Sequence, residues 1–182
     1  MSLHLDAARA STSGAGRVHG RGIINEIKAS GVEFIPCVPD IHTSEGLLRP
    51  LALEPGLRLI RVCKEDEGIG ICAGLSYCNK RALLLMQHTG LLDSINALRS
   101  VGVEYSLPIC MMVGLLNKEP GVLPRDSKHY GVRISAPILD AMGVEHHLIE
   151  TDADLGLIKP AIDAAYARGH PIVLFIGTSP LP

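Results

Sequence analysis

Six short apolar runs, each nearly continuous in Val, Ile, Leu, Cys or Met, recur at residues 33–38, 57–63, 81–87, 107–115, 144–149 and 171–177. Runs that do not alternate polar with apolar fit strands buried on both faces. Stretches with helical spacing separate them, at 18–30, 44–53, 67–79, 92–101, 134–142 and 152–168. Four of these stop at a glycine (Gly31, Gly102, Gly143 and Gly169), the residue that most often terminates a helix in the left-handed conformation. Helix and strand alternating six times predicts a doubly wound α/β fold: a six-stranded, mostly parallel sheet with helices on both faces. Residues 1–16, rich in Ala, Ser and Gly, are expected to form a flexible N-terminal arm, leaving 17–182 as one domain. Pro50 interrupts the second helical stretch and Pro160 is expected to kink the last.

The chain has 182 residues, enough for one well-cored domain and few for two. It has no Trp, four Tyr and two Phe, so the core must be aliphatic. No apolar run approaches the length of a membrane span, and 1–16 lack the unbroken apolar segment of a secretory signal. A net charge of -2 gives no reason to expect nucleic acid or an acidic membrane as partner. The five cysteines include no C-x-x-C pair, and Cys72 and Cys78 are not at metal spacing. Buried reduced thiols, no metal site and a cytoplasmic location are the expectation.

In a parallel sheet, ligands gather at the carboxyl ends of the strands. Those ends read Pro39-Asp40-Ile41-His42, Lys64-Glu65-Asp66-Glu67 and the polar turn Gln87-His88-Thr89-Gly90, followed by a long connection at 116–133 that begins with Asn117 and carries His129. Long loops in compact domains are often functional. The spacing Gly68-x-Gly70-x-x-x-Gly74 is loosely that of a dinucleotide loop, but three acids beside it would repel a pyrophosphate. Carboxylates there suit a basic nitrogen or a proton, or they form a solvated acidic helix start. Asp40 reads equally as a turn former after Pro39 and as a substrate contact. Cys37 or Ser44 with His42 lacks any oxyanion-hole motif, and His146 and His147 must point to opposite faces of their strand. Arg125, Lys128 and Arg133 either meet an anionic group or form a solvated loop.

The segments GVEFIPCVPD, RVCKEDEGIGICAG and ALLLMQHTGLLDSINALRS carry a resemblance. They are similar to the pyrimidine-binding domain of thiamine diphosphate-dependent 2-oxoacid decarboxylases. Within that family they resemble above all the alpha subunits of sulfopyruvate decarboxylase and the matching half of phosphonopyruvate decarboxylase. The likeness runs from about residue 18 to the end and is most specific over 83–99.

The resemblance implies that a glutamate nine residues ahead of Gly74, which is Glu65, hydrogen-bonds N1′ of the cofactor's aminopyrimidine. That bond favours the imino tautomer, whose 4′-nitrogen can take the C2 proton. Asp66 and Glu67 leave the register open. The resemblance further implies that Pro39, Gln87, His88, Thr89 and Gly90 lie along the cofactor, and that Asp40, His88 and His129 face the substrate. His88 stands where related chains often have Asn. The family's Gly-Asp-Gly motif for diphosphate and Mg²⁺ is absent from this sequence. The implied assembly is therefore at least α₂β₂, with a separate beta subunit holding both, and it decarboxylates a small anionic 2-oxoacid. A non-catalytic binding or regulatory subunit with the same fold is the alternative.

Overall fold

A computed structural model describes residues 16–182 of the chain; the arm expected at 1–16 lies, Gly16 aside, outside the described residues. Each predicted run forms a strand, trimmed at its ends: β1 Phe34–Cys37, β2 Arg58–Arg61, β3 Leu84–Gln87, β4 Cys110–Gly114, β5 Glu145–Ile149 and β6 Ile172–Ile176. The sheet order is β2-β1-β3-β4-β6-β5 and every pairing is parallel. The helices are α1 Gly20–Ala29, α2 Arg49–Leu53, α3 Glu65–Tyr77, α4 His88–Asp93, α5 Ile95–Ala97, α6 Tyr130–Met142 and α7 Ile158–Arg168.

Side chains alternate across a strand, and the two cores follow that parity. Leu83, Leu85, Cys110, Met112, Ile172 and Leu174 face one layer, against Ile23, Ile24 and Ile27 of α1 and Ile162 of α7. Leu84, Met86, Met111, Val113, Val173 and Phe175 face the other, against Ile69 of α3, Leu91 of α4 and Val132 and Leu139 of α6. The fold is doubly wound. Among the described residues, no helix is long and apolar enough to cross a membrane.

Local expectations were overturned on four points. Strands β2 and β5 are edge strands, with exposed Arg58 and Arg61 in one and exposed Glu145 in the other, so neither is buried on both faces. Gly102 does not end a helix; it lies inside a π-helical stretch, Leu98–Glu104, packed against Leu98 and Pro171, and the left-handed turn falls to Ser106. Gly31, Gly143 and Gly169 do adopt positive φ. Pro160 sits in the first turn of α7, where a missing N–H is tolerated. Finally, His88, Thr89 and Gly90 are not a turn: helix α4 starts directly at His88.

The chain leaves β1 towards β2 on one side and β3 towards β4 on the other, although β1 and β3 are neighbours. Adjacent strands whose connections diverge open a crevice at their carboxyl ends. The segment after β1 carries Asp40 and His42, and the segment after β3 begins with His88.

Candidate active site

Helix α3 opens with three acids, and the structure gives each a different task. Glu67 turns back so that its carboxylate accepts the backbone N–H of Cys63 (3.0 Å) and of Lys64 (3.4 Å), closing the start of the helix. Asp66 accepts the N–H of Glu67 at 2.9 Å and pairs with Lys64 at 3.5 Å. Glu65 makes neither a hydrogen bond nor an ion pair among the described residues, although it is half-buried. Its side chain lies over Gly90 in the first turn of α4. Of the three acids, Glu65 is the one whose carboxylate no other described group engages.

Asp40 is buried and fully engaged. Its carboxylate accepts the N–H of His42 (2.6 Å) and of Thr43 (3.3 Å), and the Thr43 hydroxyl. The turn reading of Asp40 is therefore real: it shapes the loop that leads into a π-helical turn at Ser44–Leu48. His42 Nε2 donates to the Ile176 carbonyl at 3.0 Å, which leaves Nδ1 to accept from the Ser179 hydroxyl at 3.3 Å. Gly114, at the end of β4, packs against Asp40, His42 and Thr43.

His88 is 8% exposed, and its Nδ1 is buried without a hydrogen-bond partner. The Gly114 carbonyl still biases the ring towards protonation, although no bond of ordinary geometry reaches Nδ1. Gly131 of α6 lies against the other side of the ring. His129, half-buried just ahead of α6, is close enough to act electrostatically on His88. Its backbone N–H donates to the Ser127 hydroxyl oxygen at 3.1 Å. Asp40, His42, His88 and His129 thus form one polar cluster at the crevice.

Burial pushes the His42 and His88 imidazoles below the ordinary value of 6.5. Asp40 pulls both back up; His88 and Arg17 lower His42, and His129 lowers His88. Below 6.5 the unfolded chain therefore binds more protons than the folded one. The stability these groups contribute is full above 6.5 and is lost as pH falls through their lower folded values. The thermal midpoint of the chain should fall between about pH 7 and about pH 5, before any carboxylate titrates. A His42→Gln/His88→Asn variant should flatten that limb; an unchanged slope would contradict the assignment.

The long connection is tied down from within. Lys118 has a fully sealed side chain that ion-pairs with Glu150, just past β5, and donates to the Glu119 carbonyl at 2.9 Å. The Glu119 carboxylate accepts the Ser127 hydroxyl (2.7 Å) and the Lys128 N–H (3.2 Å). The Ser127 hydroxyl is the main cause that holds its carboxyl down, to about 2. Arg133 donates to the Ser127 carbonyl at 3.0 Å and lies over the Tyr130 ring. The sequence places Lys118 in the long connection but does not reveal its pairing with Glu150; reading the carboxyl end of β5 as well would have found the acid. Of the remaining residues tied to the cofactor, Pro39 is exposed beyond β1. Gln87 accepts the Thr89 hydroxyl at 2.9 Å, so those two side chains satisfy each other. Among the described residues, no cluster of His, Cys, Asp and Glu is arranged to hold a metal.

A wholly parallel sheet with polar side chains gathered at its switch point defines a doubly wound α/β domain with a candidate site at the carboxyl edge of the sheet. Comparison with curated proteins narrows this class. The chain is 35% identical over 91 residues to the sulfopyruvate decarboxylase subunit alpha of Methanococcus maripaludis, covering 50% of this chain and 54% of that protein. It is 27% identical over 157 residues to the subunit of the same name from Methanocaldococcus jannaschii, covering 84% of this chain and 89% of that protein. A Methanosarcina acetivorans protein named sulfopyruvate decarboxylase matches at 25% identity over 85% of this chain, which spans only 38% of it. No family model matches the chain.

Proposed function

We propose that this chain is the alpha, pyrimidine-binding subunit of a thiamine diphosphate-dependent decarboxylase. Its substrate is a small anionic 2-oxoacid of the sulfopyruvate or phosphonopyruvate type. The observation that carries the reading is Glu65: a half-buried carboxylate at the sheet's carboxyl edge that nothing in the described chain engages, beside two acids that are both engaged. The residues present fit the pyrimidine end of the cofactor in their chemistry: Glu65 offers a carboxylate that no other described group engages, which is the partner a basic ring nitrogen calls for. When bound, the cofactor supplies an electron sink for the bond to the departing carboxyl group.

The chain's own residues do the rest. Glu65 would hold the ring nitrogen of the bound cofactor through a hydrogen bond, and the buried imidazole of His88 lines the crevice. His129 reaches it from the anchored loop, while Asp40 holds the loop after β1 in place. This sequence carries no Gly-Asp-Gly, and in this reading the diphosphate and Mg²⁺ are held by a diphosphate-binding domain on a beta subunit. The relatives named as alpha subunits support a partner chain, whereas the longer relative extends well beyond the matched region within one chain. A reducing compartment such as the cytoplasm suits the five free thiols; Cys37, Cys72 and Cys110 are buried as expected, and burial pushes Cys72 up to about 12, but Cys63 and Cys78 are exposed.

Reconstitution tests the reading. The chain with thiamine diphosphate and Mg²⁺ alone should release no CO₂ from sulfopyruvate. Adding a diphosphate-binding subunit should start turnover and give an assembly of at least α₂β₂ mass. Decarboxylation by the isolated chain would overturn the division of labour.

A further inference from the structure

We infer that Gly90 is a positioning residue for Glu65, kept free of a side chain so that the carboxylate can stand where a Cβ would be. The inference rests on the reading of Glu65 as the cofactor-facing acid and adds the residue that sets its place. Gly90 is buried, the third residue of α4, and its φ is not positive. Its backbone therefore does not call for glycine. Within a helix, glycine is less favourable than every residue except proline, so alanine would improve the local helix. What excludes alanine is Glu65: a Cβ at position 90 would overlap its Cγ, Cδ and Oε1, and these are the three nearest atoms.

Gly68 of α3 makes the contrast. A Cβ there would strike the branched end of Leu84, a core residue with no free space. At position 90 the obstructing atoms run from Cγ to Oε1 of a flexible side chain that no hydrogen bond holds, so a change of its χ1 rotamer moves all three. The fold can accept an alanine at this position by letting the carboxylate swing aside. Stability and function should therefore part company at this one position: the chain stays folded and the acid moves.

Gly90→Ala tests this with three readouts. The thermal midpoint of the isolated chain should stay level or rise, whereas Gly68→Ala should lower it. The side-chain carboxyl ¹³C signal of Glu65 in the isolated chain should shift. In the reconstituted complex kcat should fall about 100-fold, the usual scale for a catalytic group displaced by about 1 Å. A midpoint that drops as for Gly68→Ala, or an unmoved Glu65 signal with normal kcat, overturns the inference. Should Glu65→Gln leave turnover intact, the cofactor reading fails. The positioning claim would then be decided by the Glu65 signal alone, where a shift supports it and no shift overturns it.

Discussion

Glu65→Gln in the reconstituted complex is expected to lower turnover about 10²- to 10⁴-fold, the range for loss of a positioned acid or base. The amide keeps the size of the carboxyl group but can no longer share a proton with a ring nitrogen. Stability should change by less than about 0.5 kcal/mol, because nothing in the described chain bonds this carboxylate. The neighbouring acids should behave in the opposite way. Glu67→Ala removes the group that accepts the Cys63 and Lys64 N–H donors and should cost about 1 kcal/mol with turnover nearly intact. Asp66→Asn should do little to either. Turnover and urea unfolding measured on all three variants check this pattern. A complex indifferent to Glu65→Gln would favour the non-catalytic, regulatory reading of the fold.

Glu150→Ala should destabilise the chain by about 3–5 kcal/mol, the scale for a buried charge stripped of its partner. Lys118 is fully sealed, and its remaining bond, to the Glu119 carbonyl, cannot neutralise an ammonium group. A Lys118→Met/Glu150→Leu pair should recover most of the loss, because an apolar pair leaves no orphaned charge. Ser127 and His129 belong to the same loop, held through Glu119. Kinetics of the double variant then separate anchoring from stability: a raised KM with a normal midpoint shows that the ion pair sets the loop's position. Denaturant unfolding of the single and double variants measures the energetic part. A cost below about 1 kcal/mol for Glu150→Ala would mean that the pair is solvated and anchors nothing.

The strands were legible because burial on two faces leaves a signature that depends on no partner: a short, continuous aliphatic run. The edge position of β2 was not, since Leu59 and Ile60 read as core while only the sheet order exposes Arg58 and Arg61. The start of α4 was missed because His88-Thr89-Gly90 has turn composition, and the use of that glycine lies in a contact with Glu65, twenty-five residues earlier by their numbers. Asp40 and His88 stand at strand ends and His129 in the long connection, and topology fixes which edge of a parallel sheet they share; that they face a substrate was implied by the family resemblance and not by their positions. Which of Glu65, Asp66 and Glu67 is free could not be read from composition. It depends on which carboxylate the helix start consumes, a matter of geometry. Lys118 and Glu150 lie on different strand ends, so no local pattern joins them.

The central claim is that the Glu65 carboxylate meets the pyrimidine ring of thiamine diphosphate at a site completed by a second subunit. A crystal structure of the reconstituted complex with the cofactor bound measures this directly. The expected result is a Glu65 oxygen within about 2.6–3.2 Å of the ring's N1′, over Gly90, with the diphosphate held by the other chain. A Glu65 side chain turned to solvent, or a cofactor bound away from α3 and α4, would contradict it.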